Sequence, residues 1–190
     1  MITVNTTLPD EPRQFRAPQT MTPYELGDSL ARLVWESFTD FISQEDVETP
    51  LADIRTLYDD DRTNGRTAEE ALIFFMWAHT RGVQMAFLGR TPEARIREGL
   101  DALHGAVFED MVENGTQESQ LPLFEQHVSA RYGEYHQAAD QSGNKLGQAV
   151  ARHILDGVVR DTTAAAIQER AVAVAKPLKD FLEEVELIRA

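Results

Sequence analysis

The chain has no cysteine and only three lysines, Lys145, Lys176 and Lys179. The first absence removes disulfides, thiolate zinc sites, iron–sulfur clusters and cysteine nucleophiles together. The second leaves the positive charge to arginine, which supplies the other 15 of the 18 Lys and Arg residues. Against them stand 32 Asp and Glu, for a net charge of -14 over 190 residues. A field of that sign repels phosphate backbones and anionic membranes, so neither nucleic acid nor a membrane is expected as a partner. Carboxylates at this density suit a protein kept soluble in a salt-rich cytosol, where screening quenches self-repulsion.

Long hydrophobic runs are missing too. The longest unbroken one covers residues 71–78, far short of the roughly 20 that span a bilayer. The N-terminal residues have no basic start followed by an apolar stretch, so no secretory signal is legible and a cytoplasmic location is expected. The sequon at Asn5, Thr6 and Thr7 then carries no meaning. No Walker A loop, G-x-G-x-x-G, H-E-x-x-H or G-x-S-x-G occurs, and no helix is basic enough to read a DNA groove. No catalytic residue and no cofactor are therefore assigned, and the motifs name no enzyme activity.

What is present is helical punctuation. Residues 1–21 carry Pro9, Pro12 and Pro18 without a helical period and read as an extended or disordered arm, with Ile2, Thr3 and Val4 able to add a short strand. From residue 22 onward helix starts recur. Thr22-Pro23-Tyr24-Glu25 combines a capping box with proline at the first helical position, and Leu26, Leu30, Val34, Phe38, Phe41 and Ile42 form the stripe behind it. Thr49-Pro50 predicts a short second helix bearing Leu51, Ile54 and Tyr58. Thr67 and Glu70 form a second capping box, opening a helix over 67–88 that Gly89 stops. Further helices begin at Thr91-Pro92, near Ser119, near Leu146 and near Asp161, and Pro177 is expected to kink or split the last. Beyond it Leu178, Phe181, Leu182, Val185 and Ile188 keep helical spacing.

Short loops between amphipathic helices predict an all-α fold, a single-domain bundle of six or seven helices over 22–190. The 71–78 run puts Leu72, Phe74, Phe75, Met76 and Trp77 on every side of its helix. A helix apolar all round is surrounded by others, so 67–88 is expected at the centre.

Three constellations test for chemistry. Residues 59–70 have the length of a calcium loop, with Asp59, Asp61, Thr63 and Glu70 at ligand positions, but Asn64 replaces the turn glycine and Arg66 the apolar residue. An acidic inter-helix loop explains the stretch better. Carboxylate-bridged metal sites need Glu-x-x-His on two helices and two more carboxylates. This chain offers Asp101-x-x-His104 once, and His136 with Asp140 one turn on. The central helix, finally, is interrupted by His79, Arg81 and Gln84. His79 shares a face with Phe75 and Val83 and should be buried, whereas Arg81 points elsewhere and suits a buried ion pair.

Two functional expectations follow. The first is a non-catalytic helical module that self-associates, as a homodimer through the stripe after Pro177, or docks to a protein partner. The alternative is a bundle holding a metal or small ligand between helices, with His79, Asp101, His104 and His136 as ligand-binding candidates. Convergence of two histidines and a carboxylate would favour that alternative.

Overall fold

A computed structural model describes residues 19–43, 51, 64–155 and 158–189. The arm preceding residue 19, the helix expected after Thr49 apart from Leu51, and residues 59–63 of the acidic loop at 59–70 lie outside the described residues. Within them are six helices: α1 (Pro23–Ile42), α2 (Asn64–Phe87), α3 (Glu93–Glu113), α4 (Leu121–Ala139), α5 (Lys145–Ile154) and α6 (Asp161–Leu182). A 3₁₀ turn, Glu118–Gln120, leads into α4. The fold is an all-α bundle, and no described helix is long and apolar enough to cross a membrane.

The start of α1 follows its sequence. Thr22 accepts from the Glu25 backbone N–H, and the Glu25 carboxylate accepts from the Thr22 backbone N–H at 2.8 Å. The α2 start does not. The helix begins three residues earlier, at Asn64, so Thr67 lies inside it, buried, and forms no cap. Glu70 is spent instead on an ion pair to α4. At the other end Gly89, with φ +79°, takes the left-handed backbone that ends the helix.

Every residue from 70 to 80 is buried, and α2 touches each of the other five helices. Its closest neighbours meet it through small residues. A Cβ on Gly82 would lie 3.0 Å from the Leu178 side chain, which is why α6 can pack directly on the α2 backbone. Elsewhere α1 packs along α3, where a Cβ on Gly27 would lie 2.7 Å from the backbone of Leu103. The same device joins α5 to α6 at Gly147.

At the C-terminus the structure narrows one expectation and overturns another. Pro177 does not split α6, which continues to Leu182. Both Pro177 and Ala173, whose carbonyl loses its helical partner, are exposed, so water can satisfy the freed acceptor. The helical spacing through Ile188 fails. Val185–Leu187 forms strand β2, parallel to β1 (Gln19–Met21), with Thr20 opposite Glu186. Val185 and Leu187 are buried and Glu186 is exposed, the alternation of a half-buried strand. Arg90 reinforces the change of direction. Its guanidinium donates to the carbonyls of Leu182 and of Val185, the latter at 3.1 Å, and Arg95 donates to Leu187 O at 2.7 Å.

The stripe assigned to a dimer is thereby consumed within the chain. Leu178, Leu182 and Val185 are all buried, and only Phe181 and Ile188 retain substantial exposure.

Candidate functional site

The four candidate residues do not converge. His79 is buried on α2, and its Nδ1–H donates to the Phe75 carbonyl one turn back at 2.8 Å. Burial drives its pKa down to about 4, with that hydrogen bond opposing. It is a core histidine kept neutral by desolvation. Asp101 is exposed on α3 and acts on His104 only through its charge. Among the described residues no group of three or more histidines and carboxylates is placed to hold a metal ion.

His104 and His136 do share a neighbour, Tyr132 of α4. The Tyr132 hydroxyl lies 3.0 Å from His104 Nε2 and 3.3 Å from Thr80 Oγ1. His136 meets the Tyr132 ring edge to face, with centroids 6.3 Å apart, and packs on Trp77 at 5.6 Å. Burial holds the pKa of His104 down, against the pull of Asp101 and Glu125, and pushes that of Tyr132 up. His136 is lowered by burial and then by Arg81, with Asp140 opposing. Arg81 does find a carboxylate, Asp140 at 3.3 Å, but the pair is largely solvent-exposed rather than buried.

Thr80, Tyr132 and His104 lie along the floor of a groove of about 600 Å³ between α2 and α3. Met85, Leu88, Ile96 and Leu100 line its sides, and Met85 and Leu88 are 45% and 81% exposed. Arg81, Arg97, Glu93 and Asp101 stand at its rim.

A second groove, of about 630 Å³, opens between the end of α3 and the start of α4. Its apolar surface comes from Phe108, Val112, Leu121 and Pro122, and four glutamates, Glu109, Glu113, Glu118 and Glu125, line it as well. All four are exposed, and none forms an ion pair with a described residue. The signal for this groove was in the sequence. From Glu98 to Ala130 there is no lysine or arginine, while seven carboxylates occur at 98, 101, 109, 110, 113, 118 and 125. The net charge of -14 averages over the whole chain and does not reveal this segregation.

The other side of α4 behaves differently. Arg131 donates to both carboxylate oxygens of buried Glu70, at 2.8 and 2.6 Å. His127 meets Glu69 at 2.5 Å, and His153 meets Glu134 at 2.6 Å. These contacts tie α4 to α2 and α5, so the charges on this side of α4 are structural, whereas the four glutamates of the α3–α4 groove are not tied to a described cation. Comparison with family models, curated proteins and solved structures finds no match to this chain.

Proposed function

We propose that the protein is a non-catalytic docking module that receives a basic, amphipathic segment of a partner protein in the α3–α4 groove. The observation that carries this is a groove lined by the apolar surface of Phe108, Val112, Leu121 and Pro122 and by four exposed glutamates that form no ion pair with a described residue. Carboxylates placed so close repel one another, and a cationic ligand relieves that repulsion while covering the apolar floor. Helices that present leucine-like residues on one face and lysine or arginine on the flanks have the matching chemistry. The overall charge of -14 adds long-range steering for such a partner. A second copy of the chain would bring the same charge, so the groove favours a heterologous partner over self-association.

The test uses a fluorescent amphipathic helical peptide built from leucine and lysine, titrated by anisotropy at about 0.15 M salt. One variant carries glutamine at positions 109, 113, 118 and 125. A control loses the same number of charges elsewhere, through Glu36→Gln, Asp40→Asn, Glu169→Gln and Glu186→Gln, all exposed positions. The groove variant should bind at least about tenfold more weakly, and the control no more than about threefold, in keeping with a local site over a diffuse field. Equal losses in the two variants would refute the site, as would failure of the wild type to bind.

A further inference from the structure

The groove between α2 and α3 is chemically unlike the acidic one, and it supports a separate activity. We propose that it binds a neutral amphiphile, an apolar body carrying a hydroxyl or carbonyl head, with Tyr132 as the group that recognises the head.

The volume of about 600 Å³ falls within the roughly 300–1,000 Å³ of small-molecule sites. Met85, Leu88, Ile96 and Leu100 offer an apolar body its surface, and the exposure of Met85 and Leu88 leaves the groove open to solvent. The polar groups sit deeper. Thr80 is 2% exposed, while Tyr132 and His104 are half-buried and line the groove, so a head group reaching the floor lies beside these two rings.

The hydrogen-bond chain on the floor can run in either direction. With the His104 proton on Nδ1, Tyr132 donates to Nε2 and accepts from Thr80. With the proton on Nε2, the imidazole and Thr80 can both donate to the Tyr132 oxygen, whose own O–H is then free to donate to the head. A floor that can present either an acceptor or a donor suits a hydroxyl, which does both, and a carbonyl in the second arrangement.

It does not suit an ion. None of the charged side chains lining the groove is hydrogen-bonded to the Thr80–Tyr132–His104 chain, and burial holds the pKa of His104 down. At the rim the two arginines are already engaged, Arg81 with Asp140 at 3.3 Å and Arg97 with Glu93 at 3.0 Å. A carboxylate or ammonium head carried to the floor would lose its hydration without gaining a counter-ion.

Three soluble compounds with one body and different heads decide the point: 4-phenyl-1-butanol, 4-phenylbutyrate and 4-phenylbutylammonium. Each is titrated into the full chain at about pH 7, with the Met85 methyl and the His104 ring followed by NMR. The alcohol should shift both signals saturably and bind at least about tenfold more tightly than either ion, the scale expected when one buried polar pairing is lost. In Tyr132→Phe the alcohol should lose that advantage while Met85 still responds to it. Leu88→Asp, at an exposed rim position, should weaken binding of the alcohol without unfolding the chain. An ionised compound that binds as tightly as the alcohol, no saturable shift with any of the three, or shifts confined to residues outside this groove would each overturn the proposal. The comparison of heads on the wild type stands even if Tyr132→Phe fails to fold.

Discussion

Lowering the pH should unfold this protein in part through one residue. In the unfolded chain His79 titrates near its ordinary value of 6.5, and in the native core burial holds it down to about 4. Between those values the unfolded state binds the proton more readily, so acid favours unfolding. The contribution is fully present above about pH 6.5, is lost as the pH falls toward 4, and levels off below that. A displacement from 6.5 to about 4 corresponds to roughly 3 kcal/mol over the whole range, and to about 2 kcal/mol at pH 5. Two effects overlap with it. His104 and His136 are also lowered by burial and push the same way, while protonation of crowded carboxylates relieves repulsion and pushes the other way. The comparison that isolates His79 is therefore His79→Gln, whose amide can still donate to the Phe75 carbonyl but does not titrate. Urea unfolding, followed by the fluorescence of Trp35 and Trp77, is measured for both proteins at about pH 7.5 and pH 5. Between these, wild type should lose about 2 kcal/mol more than the variant. If the two stabilities fall in parallel, the reasoning from burial is wrong. The companion change His79→Asp should be severely destabilising at all pH values, because it buries an unpaired carboxylate.

Other expectations follow from single contacts. Arg131→Met leaves the Glu70 carboxylate buried without its bidentate partner and should cost about 3 kcal/mol in chemical denaturation; adding Glu70→Gln should recover part of the loss. A wild-type midpoint for Arg131→Met would show the pair to be dispensable. Gly147→Ala places a Cβ 2.7 Å from the Ala164 carbonyl carbon, against backbone that cannot rotate aside, and should destabilise by ~3 kcal/mol; an unchanged melting temperature would mean that α5 and α6 separate at little cost. With -14 net charge, the melting temperature should rise as sodium chloride increases from about 0.1 to 1 M, where the screening length shrinks to roughly 3 Å. A flat or falling curve would count against charge repulsion as a limit on stability.

Legibility in the sequence varied with the range of the interaction that decides each feature. The Thr22 capping box and the left-handed Gly89 are local, involving residues a few positions apart, and both were readable before any fold was known. The start of α2 was misread because Thr67 and Glu70 have the spacing of a cap, yet Glu70 is claimed by Arg131 across the bundle. Val185 and Ile188 fit a helical period while Val185 and Leu187 fit an alternating one. Over so few residues the two cannot be separated without knowing that Gln19–Met21 lies alongside. For the sites, the histidines drew attention as the rarer chemistry. Tyr132, which brings Thr80 and His104 together, follows Val128 by four residues, a spacing that core residues of a helix share.

By itself the sequence determined the helical class of the protein, the near-continuous burial of residues 70–80 and the segregation of acid, without lysine or arginine, into residues 98–130. Each depends on composition or on periodicity along one element, which the chain carries before it folds. Only the tertiary structure decided which carboxylates were neutralised and which were left facing a groove. It also decided that the C-terminal apolar stripe was covered by its own chain, and that a threonine, a tyrosine and a histidine from three helices shared one floor. Those outcomes depend on how helices are rotated and spaced against one another. That is set by many simultaneous packing contacts, such as Gly27 on α3 and Gly147 on α6, and by no local pattern.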